Sequence, residues 1–283
     1  MVKESRSVGA GCAGSRYHFI SGLPRAGSTL LSAILSQNPR FQAGMSGPVA
    51  GLFRSLLEEM SGRNEFSVFI EDVQRRRILR SVLEAYYADA PAEVIFDTNR
   101  SWCSRLPLLA ELFPDSKVIA CVRSLPWILD SLERLARRNH LQPSAIANYH
   151  AGGTVYTRTS ALAGSDGVVG YAYDALKEAI YGEQAVGRLI LLPYEHLVRD
   201  PRRVIDALYA ALGEPVYPHD FSRLSFQAED FDRKAGAPGL HAVRPMVEAV
   251  PRKTVLPPDL FQRFVRDAFW EEPGNLPAGL QVL

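Results

Sequence analysis

The sequence predicts a three-layer α/β fold, a central parallel sheet flanked by helices, on three observations. Short β-branched runs alternate with stretches of helical spacing. The runs are apolar throughout rather than alternately polar, as strands covered on both faces must be. A chain of 283 residues, 47% hydrophobic and 22% charged, is long and apolar enough to bury one large core.

Residues 1–16, rich in small side chains and without the apolar run of a signal peptide, are expected to form a mobile tail ahead of a single domain over 17–283. Tyr17–Ser21 (YHFIS) predicts a strand, Gly-Leu-Pro a turn, and TLLSAILSQ a helix. Two further strands are expected at Glu93–Asp97 and Lys117–Val122, each preceded by a helix, Arg76–Tyr87 and Ser104–Phe113. Ser124 is placed to cap the next helix, LPWILDSLERLARR, whose first turn holds Pro126. A fourth strand is expected at Arg188–Leu192, then a helix over Pro201–Leu212 stopped by Gly213. Asn139–Gly170 reads as loop and short helix, and Pro215–Pro258, dense in Pro, Gly and aromatic residues, as long ordered loops.

Composition narrows the function. A net charge of +1 gives no global field for nucleic acid or an anionic membrane, so any anion site must be local. No stretch has the length of a membrane span, and the chain is expected to be cytoplasmic and unanchored. Cys12, Cys103 and Cys121 suit neither a disulfide framework nor a zinc cluster. No heptad indicates an oligomeric state.

The chemistry concentrates at a strand-to-helix junction, Gly22-Leu23-Pro24-Arg25-Ala26-Gly27-Ser28-Thr29, whose amides can converge on an anion. It has the P-loop outline G-x-x-x-x-G-x-[ST], with Ser28 at the position of the lysine that nucleoside triphosphatases require. Arg25 supplies a cation within the loop, and Ser28 and Thr29 supply hydroxyl donors, so the cradle needs no metal. Arg123 closes the third strand, where open α/β sheets bind ligands, and Ser131, on the following helix, leans back toward it. On these residues alone a kinase-like phosphotransferase with a displaced lysine, or a nucleotide-binding protein without activity, stays open beside a group-transfer enzyme.

FISGLPRAGSTLLSAIL and, about a hundred residues on, VIACVRSLPWILDSLERL resemble the 5′-phosphosulfate loop and 3′-phosphate motif of sulfotransferases that use 3′-phosphoadenosine 5′-phosphosulfate (PAPS). LLPYEHLVRDP is similar to a further element of that family, LFPDSKV to the tyrosylprotein branch, and FDTNRSW to a bacterial branch. The resemblance implies PAPS as co-substrate, adenosine 3′,5′-bisphosphate (PAP) as product, no metal, and a small-molecule or peptide acceptor sulfated on a hydroxyl or amine. It implies that Arg25, Ala26, Gly27, Ser28 and Thr29 hold the 5′-phosphosulfate, Arg123 and Ser131 the 3′-phosphate, and that Tyr194 lies near the adenine; Trp102 and Trp127 stand either as an aromatic wall or as plain core. Arg233-Lys234-Ala235-Gly236 resembles the late Arg-Lys-Gly element, which implies donor contacts from Lys234 and His241, with Arg244, Arg252 and Lys253 in the same stretch.

The sequence departs from the family at the base. The histidine of cytosolic members falls near Arg100, the glutamate of tyrosylprotein members near Ser46, and the lysine that assists the leaving group near Thr98. Arg100 is expected to replace that lysine, and Asp97 to serve as base, with Glu65, His140 and His150 behind it. Ser46 and Met45 are expected to line the acceptor pocket.

Overall fold

The computed structural model describes residues 15–141 and 153–283, so most of the expected tail, Cys12 and His150 lie outside the described residues. In chain order the elements are β1 (Arg16–Gly22), α1 (Ser28–Leu35), β2 (Phe41–Ala43), α2 (Val49–Glu59), α3 (Asp72–Tyr86), β3 (Val94–Thr98), α4 (Leu106–Leu112), β4 (Val118–Val122) and α5 (Leu125–Arg138). There follow α6 (Val155–Ala163), α7 (Val168–Tyr181), β5 (Leu189–Pro193), α8 (Tyr194–Arg199), α9 (Pro201–Leu212), α10 (Glu229–Lys234), α11 (Pro258–Arg263) and β6 (Gln281–Val282).

The six strands form one parallel sheet in the order β2-β3-β1-β4-β5-β6. Every residue of β3, β4 and β5 is buried, which is why the sequence shows continuous apolar runs there. Strand β1 pairs with β3 on one side and β4 on the other, so the direction in which the sheet grows reverses beside it. A crevice therefore opens at the carboxyl ends of β1 and β4.

The four expected strands are present within one residue, and α9 has its expected bounds, with Pro201 in its first turn, Gly213 in the left-handed region, and the Asp200 side chain accepting from the Arg203 amide. Ser124 occupies the cap position of α5, but its side chain makes no capping bond. Helix α3 begins earlier than expected, because Gln74 accepts from the Glu71 amide and closes the first turn. The expected helix over 104–113 divides: Arg100–Arg105 is 3₁₀, turned by the Asn99 side chain accepting from the Ser101 amide, and α4 follows. The stretch from 215 to 258 is irregular apart from α10 and reaches back over the sheet's carboxyl edge. Among the described residues no helix is long and apolar enough to cross a membrane.

Candidate active site

A cavity of about 740 Å³ occupies the crevice. Its walls come from the loop after β1, from Thr98 and Arg100 after β3, Arg123 after β4, Tyr194 and Glu195 after β5, one face of α5, and the segment from Gly236 to Arg252. Among the described residues, seven arginines line it against two carboxylates, Glu195 and Glu248, so a near-neutral chain concentrates positive charge at one place.

The loop after β1 is held open by backbone geometry. Gly22 has φ 94°, and a Cβ there would overlap the carbonyl oxygen of Cys121. Gly27, at the start of α1, has φ 99°, and a Cβ would lie 2.9 Å from the Tyr194 ring. Between them Arg25 adopts φ 59°, a left-handed conformation rare outside glycine. The first-turn amides of α1 have no intrahelical acceptor, and no acidic residue occupies that turn, so they present positive partial charge to the cavity. Ser28 and Thr29 line the cavity, whereas Ala26 turns its side chain into the core and spends its amide on Leu23 O at 3.4 Å.

Arg25 joins the two expected phosphate motifs. Its Nε donates to Ser131 Oγ at 3.1 Å, and its Nη1 to the carbonyl of Leu240 in the late segment. Burial, and then the charge of Arg123, hold this guanidinium down at about 10. Arg123 stacks on Tyr194, with its Cζ 4.1 Å from the ring centroid, and its Nη1 is 3.5 Å from Arg25 O. Glu195 lies 3.7 Å from Arg123 Nε, which is buried and has no hydrogen-bond partner. Burial raises the Glu195 carboxyl above its ordinary range, opposed by Arg123. The Tyr194 ring thus meets Gly27 at its edge and Arg123 at its face, which couples the loop to the second motif.

On the β3 side, Arg100 lines the cavity, and among the described residues its guanidinium has no hydrogen-bonded or ion-paired acceptor; burial lowers its pKa. Ser46 also lines the cavity, while Met45 does not. Asp97 does not reach the cavity. It is fully buried and accepts from Tyr87 Oη and Trp102 Nε1, both at 2.8 Å, which fixes it as an internal acceptor and leaves no free oxygen for an acceptor's proton. Burial raises its pKa. Trp102 belongs to the core against Phe19 and Phe53, whereas Trp127 lines the cavity with Arg252 over its ring at 5.2 Å. Glu65 and His140 are exposed and outside the cavity wall.

The late segment divides the expected contacts. Lys234 is exposed at the end of α10 and does not line the cavity; neither does Arg233, which pairs with Asp230 at 2.6 Å. Lys253 also lies outside the wall, and Arg134 holds its carbonyl. Arg244 lines the cavity in a loose pair with Glu248 at 4.0 Å. Arg252 is fixed by the carboxylate of Asp130 at 3.1 Å and the Trp127 carbonyl at 3.0 Å. Asp130, fully buried on α5, also accepts from the Val255 amide at 2.7 Å and from Thr254, and so anchors the segment over the cavity. His241 lines the cavity and is gripped by buried Asp232, a partner the sequence reading missed. Among the described residues no group of three or more metal-ligating side chains occurs.

A family model described as the sulfotransferase family matches residues 18–218. No curated protein matches the sequence. Among solved structures, the sulfotransferase domain from the curacin biosynthetic pathway is 18% identical over 72% of this chain and 76% of that one, with a TM-score of 0.48. A sulfotransferase from Alicyclobacillus acidocaldarius is 16% identical over 78% and 90%, TM-score 0.47. The sulfotransferase domain of the Synechococcus PCC 7002 olefin synthase is 18% identical over 88% and 93%, TM-score 0.43.

Proposed function

Because the chain belongs to the sulfotransferase family, we propose that it moves a sulfuryl group from PAPS to a hydroxyl or amine of a small-molecule or peptide acceptor. The observation that carries this reading is the Arg25–Ser131 hydrogen bond, which places the loop after β1 and the motif after β4 on one cavity wall. A donor with phosphate at both ends of its ribose needs two anion sites so related. The residues fit such a ligand: a buried Arg123 Nε without a hydrogen bond, an Arg100 without an acceptor among the described residues, and a helix start without acid all favour bound anions.

In this reading the amides of Gly27–Thr29 and the hydroxyls of Ser28 and Thr29 hold the sulfate-bearing phosphate. Arg123 and Ser131 hold the 3′-phosphate, and Tyr194 packs beside the base. Sulfuryl transfer is an in-line displacement in which charge builds on the leaving oxygen, so catalysis rests on positioning and electrostatics. Arg25 and Arg100 supply the positive charge at that end, in a crevice where losing one such donor typically costs about 10²–10³ in rate.

Thermal shifts with PAP in chelator, with Mg-ADP, and with neither test the reading. PAP without metal should stabilise the protein, by about 2.7 kcal/mol at a hundred times its Kd. A response to Mg-ADP alone would replace this reading with the kinase-like one.

A further inference from the structure

With Asp97 enclosed in the core and Glu65 and His140 outside the cavity wall, the acceptor's proton needs another base, and the wall offers few groups for it. Of its two carboxylates, Glu195 faces Arg123 at 3.7 Å, and Glu248 is exposed and pairs with Arg244. Tyr194 lies under the Arg123 guanidinium. The remaining group is His241, the one histidine among the described lining residues.

The setting of His241 is that of an oriented base. Its Nδ1 is 2.6 Å from Asp232 Oδ1, and its own backbone amide donates to Asp232 Oδ2 at 2.8 Å. Asp232 is buried, so both its oxygens are committed to this one residue in a place where water does not compete. The Phe231 ring packs edge-on against the imidazole at 5.6 Å. With Nδ1 tied to the carboxylate, Nε2 is the nitrogen left to the cavity. The carbonyl of the preceding residue, Leu240 O, accepts from Arg25 Nη1, so the chain at His241 is tied to the cation of the phosphate loop.

We propose that His241 is the general base of sulfuryl transfer and that Asp232 is its positioning residue. This rests on the sulfotransferase reading and moves His241 from the donor contact that the resemblance implies to the reacting end. In the step, the acceptor oxygen bonds to sulfur as the bond between sulfur and the bridging phosphate oxygen breaks. That oxygen keeps the electron pair and leaves on PAP. The acceptor proton passes to Nε2 and then to solvent, and Asp232 balances the imidazolium that forms. The arrangement parallels an imidazole held by a buried carboxylate in other acid–base sites.

The test uses the full chain with His241→Gln and Asp232→Asn, with melting curves to verify folding. PAP affinity is measured by calorimetry, and PAP release from PAPS is followed with water, phenol or p-nitrophenol as acceptor. A base predicts PAP affinity within about threefold of wild type in His241→Gln, with turnover on phenol lowered about 10²–10⁴-fold. The loss on p-nitrophenol, already ionised at mildly alkaline pH, should be under tenfold. Asp232→Asn should lower turnover on phenol by at least about tenfold but on ionised p-nitrophenol by much less, a split that loss of a purely structural contact would not produce. A tenfold or greater loss of PAP affinity in His241→Gln, or unchanged turnover, overturns the proposal and returns His241 to the donor. The binding arm needs no acceptor, and water as acceptor supplies the turnover comparison where neither phenol is used. If the wild-type protein itself binds no PAP, the sulfotransferase reading fails, and the base assignment fails with it.

Discussion

Gly27→Ala perturbs the junction of the two phosphate motifs without touching a charged group. Gly27 has φ 99°, and an added Cβ would stand 2.9 Å from Tyr194 Cδ2. Carbon atoms rest about 3.5–4.0 Å apart, so the ring must retreat by about 0.6–1.1 Å. Arg123 stacks on the face of that ring, 4.1 Å from its centroid, so the shift disturbs the pair. The backbone strain costs about 1–3 kcal/mol, and disturbing the cation–π pair adds about 0.5–1 kcal/mol. Gly187→Ala is the matched control: its φ is 82°, but nothing lies within 4 Å of the added carbon. Calorimetric melting should place both variants below wild type, with each kcal/mol worth about 2–4 °C. Only Gly27→Ala should lose PAP affinity, by about tenfold, equivalent to roughly 1.4 kcal/mol. Wild-type affinity in Gly27→Ala, or an equal loss in Gly187→Ala, would refute the coupling through Tyr194.

Arg123→Ala should weaken PAP by about 10–100-fold, as expected for a lost charge-assisted hydrogen bond, and leave adenosine 5′-phosphosulfate nearly unaffected; titrations of both ligands check this, and equal losses contradict the 3′-phosphate role. Arg25→Ala should lower PAPS turnover about 10²–10³-fold, with a smaller loss of PAP affinity through the freed Ser131 hydroxyl, read by initial rates beside calorimetry. Burial, then the charges of Arg16 and Lys117, lower His18 from 6.5 to about 4, so the unfolded chain takes up the proton first as pH falls. Stability present above pH 6.5 should therefore decline toward pH 4 by at most about 3 kcal/mol from this residue, and His18→Asn should flatten that slope in urea titrations.

The sheet's interior was legible because strands buried on both faces have no choice of composition: β1, β3, β4 and β5 follow directly from apolar runs. Edge strands carry no such signal. Strand β2 has three residues and β6 has two, exposed ones, and their pairing is imposed by the neighbouring strand rather than by their own sequence. The same contrast runs through the site. Gly22–Thr29, Arg123, Ser131 and Tyr194 could be placed because they follow strand ends, and ligands gather at the carboxyl edge of a parallel sheet. Asp97 was misread because successive strand residues point to opposite faces: its neighbour Thr98 lines the cavity while Asp97 turns toward Tyr87 and Trp102. Lys234 was misread because the late segment has no period from which to tell inward from outward. For the same reason the Asp232–His241 pair, nine positions apart in irregular chain, becomes visible only once the segment is folded over the cavity.

A crystal soaked with PAP in the absence of divalent metal tests the central claim most directly. The account predicts the 3′-phosphate within hydrogen-bonding distance of Arg123 and Ser131, and the 5′-phosphate against the amides of Gly27, Ser28 and Thr29. A nucleotide bound elsewhere, bound in the reverse sense, or bound only with magnesium would contradict it.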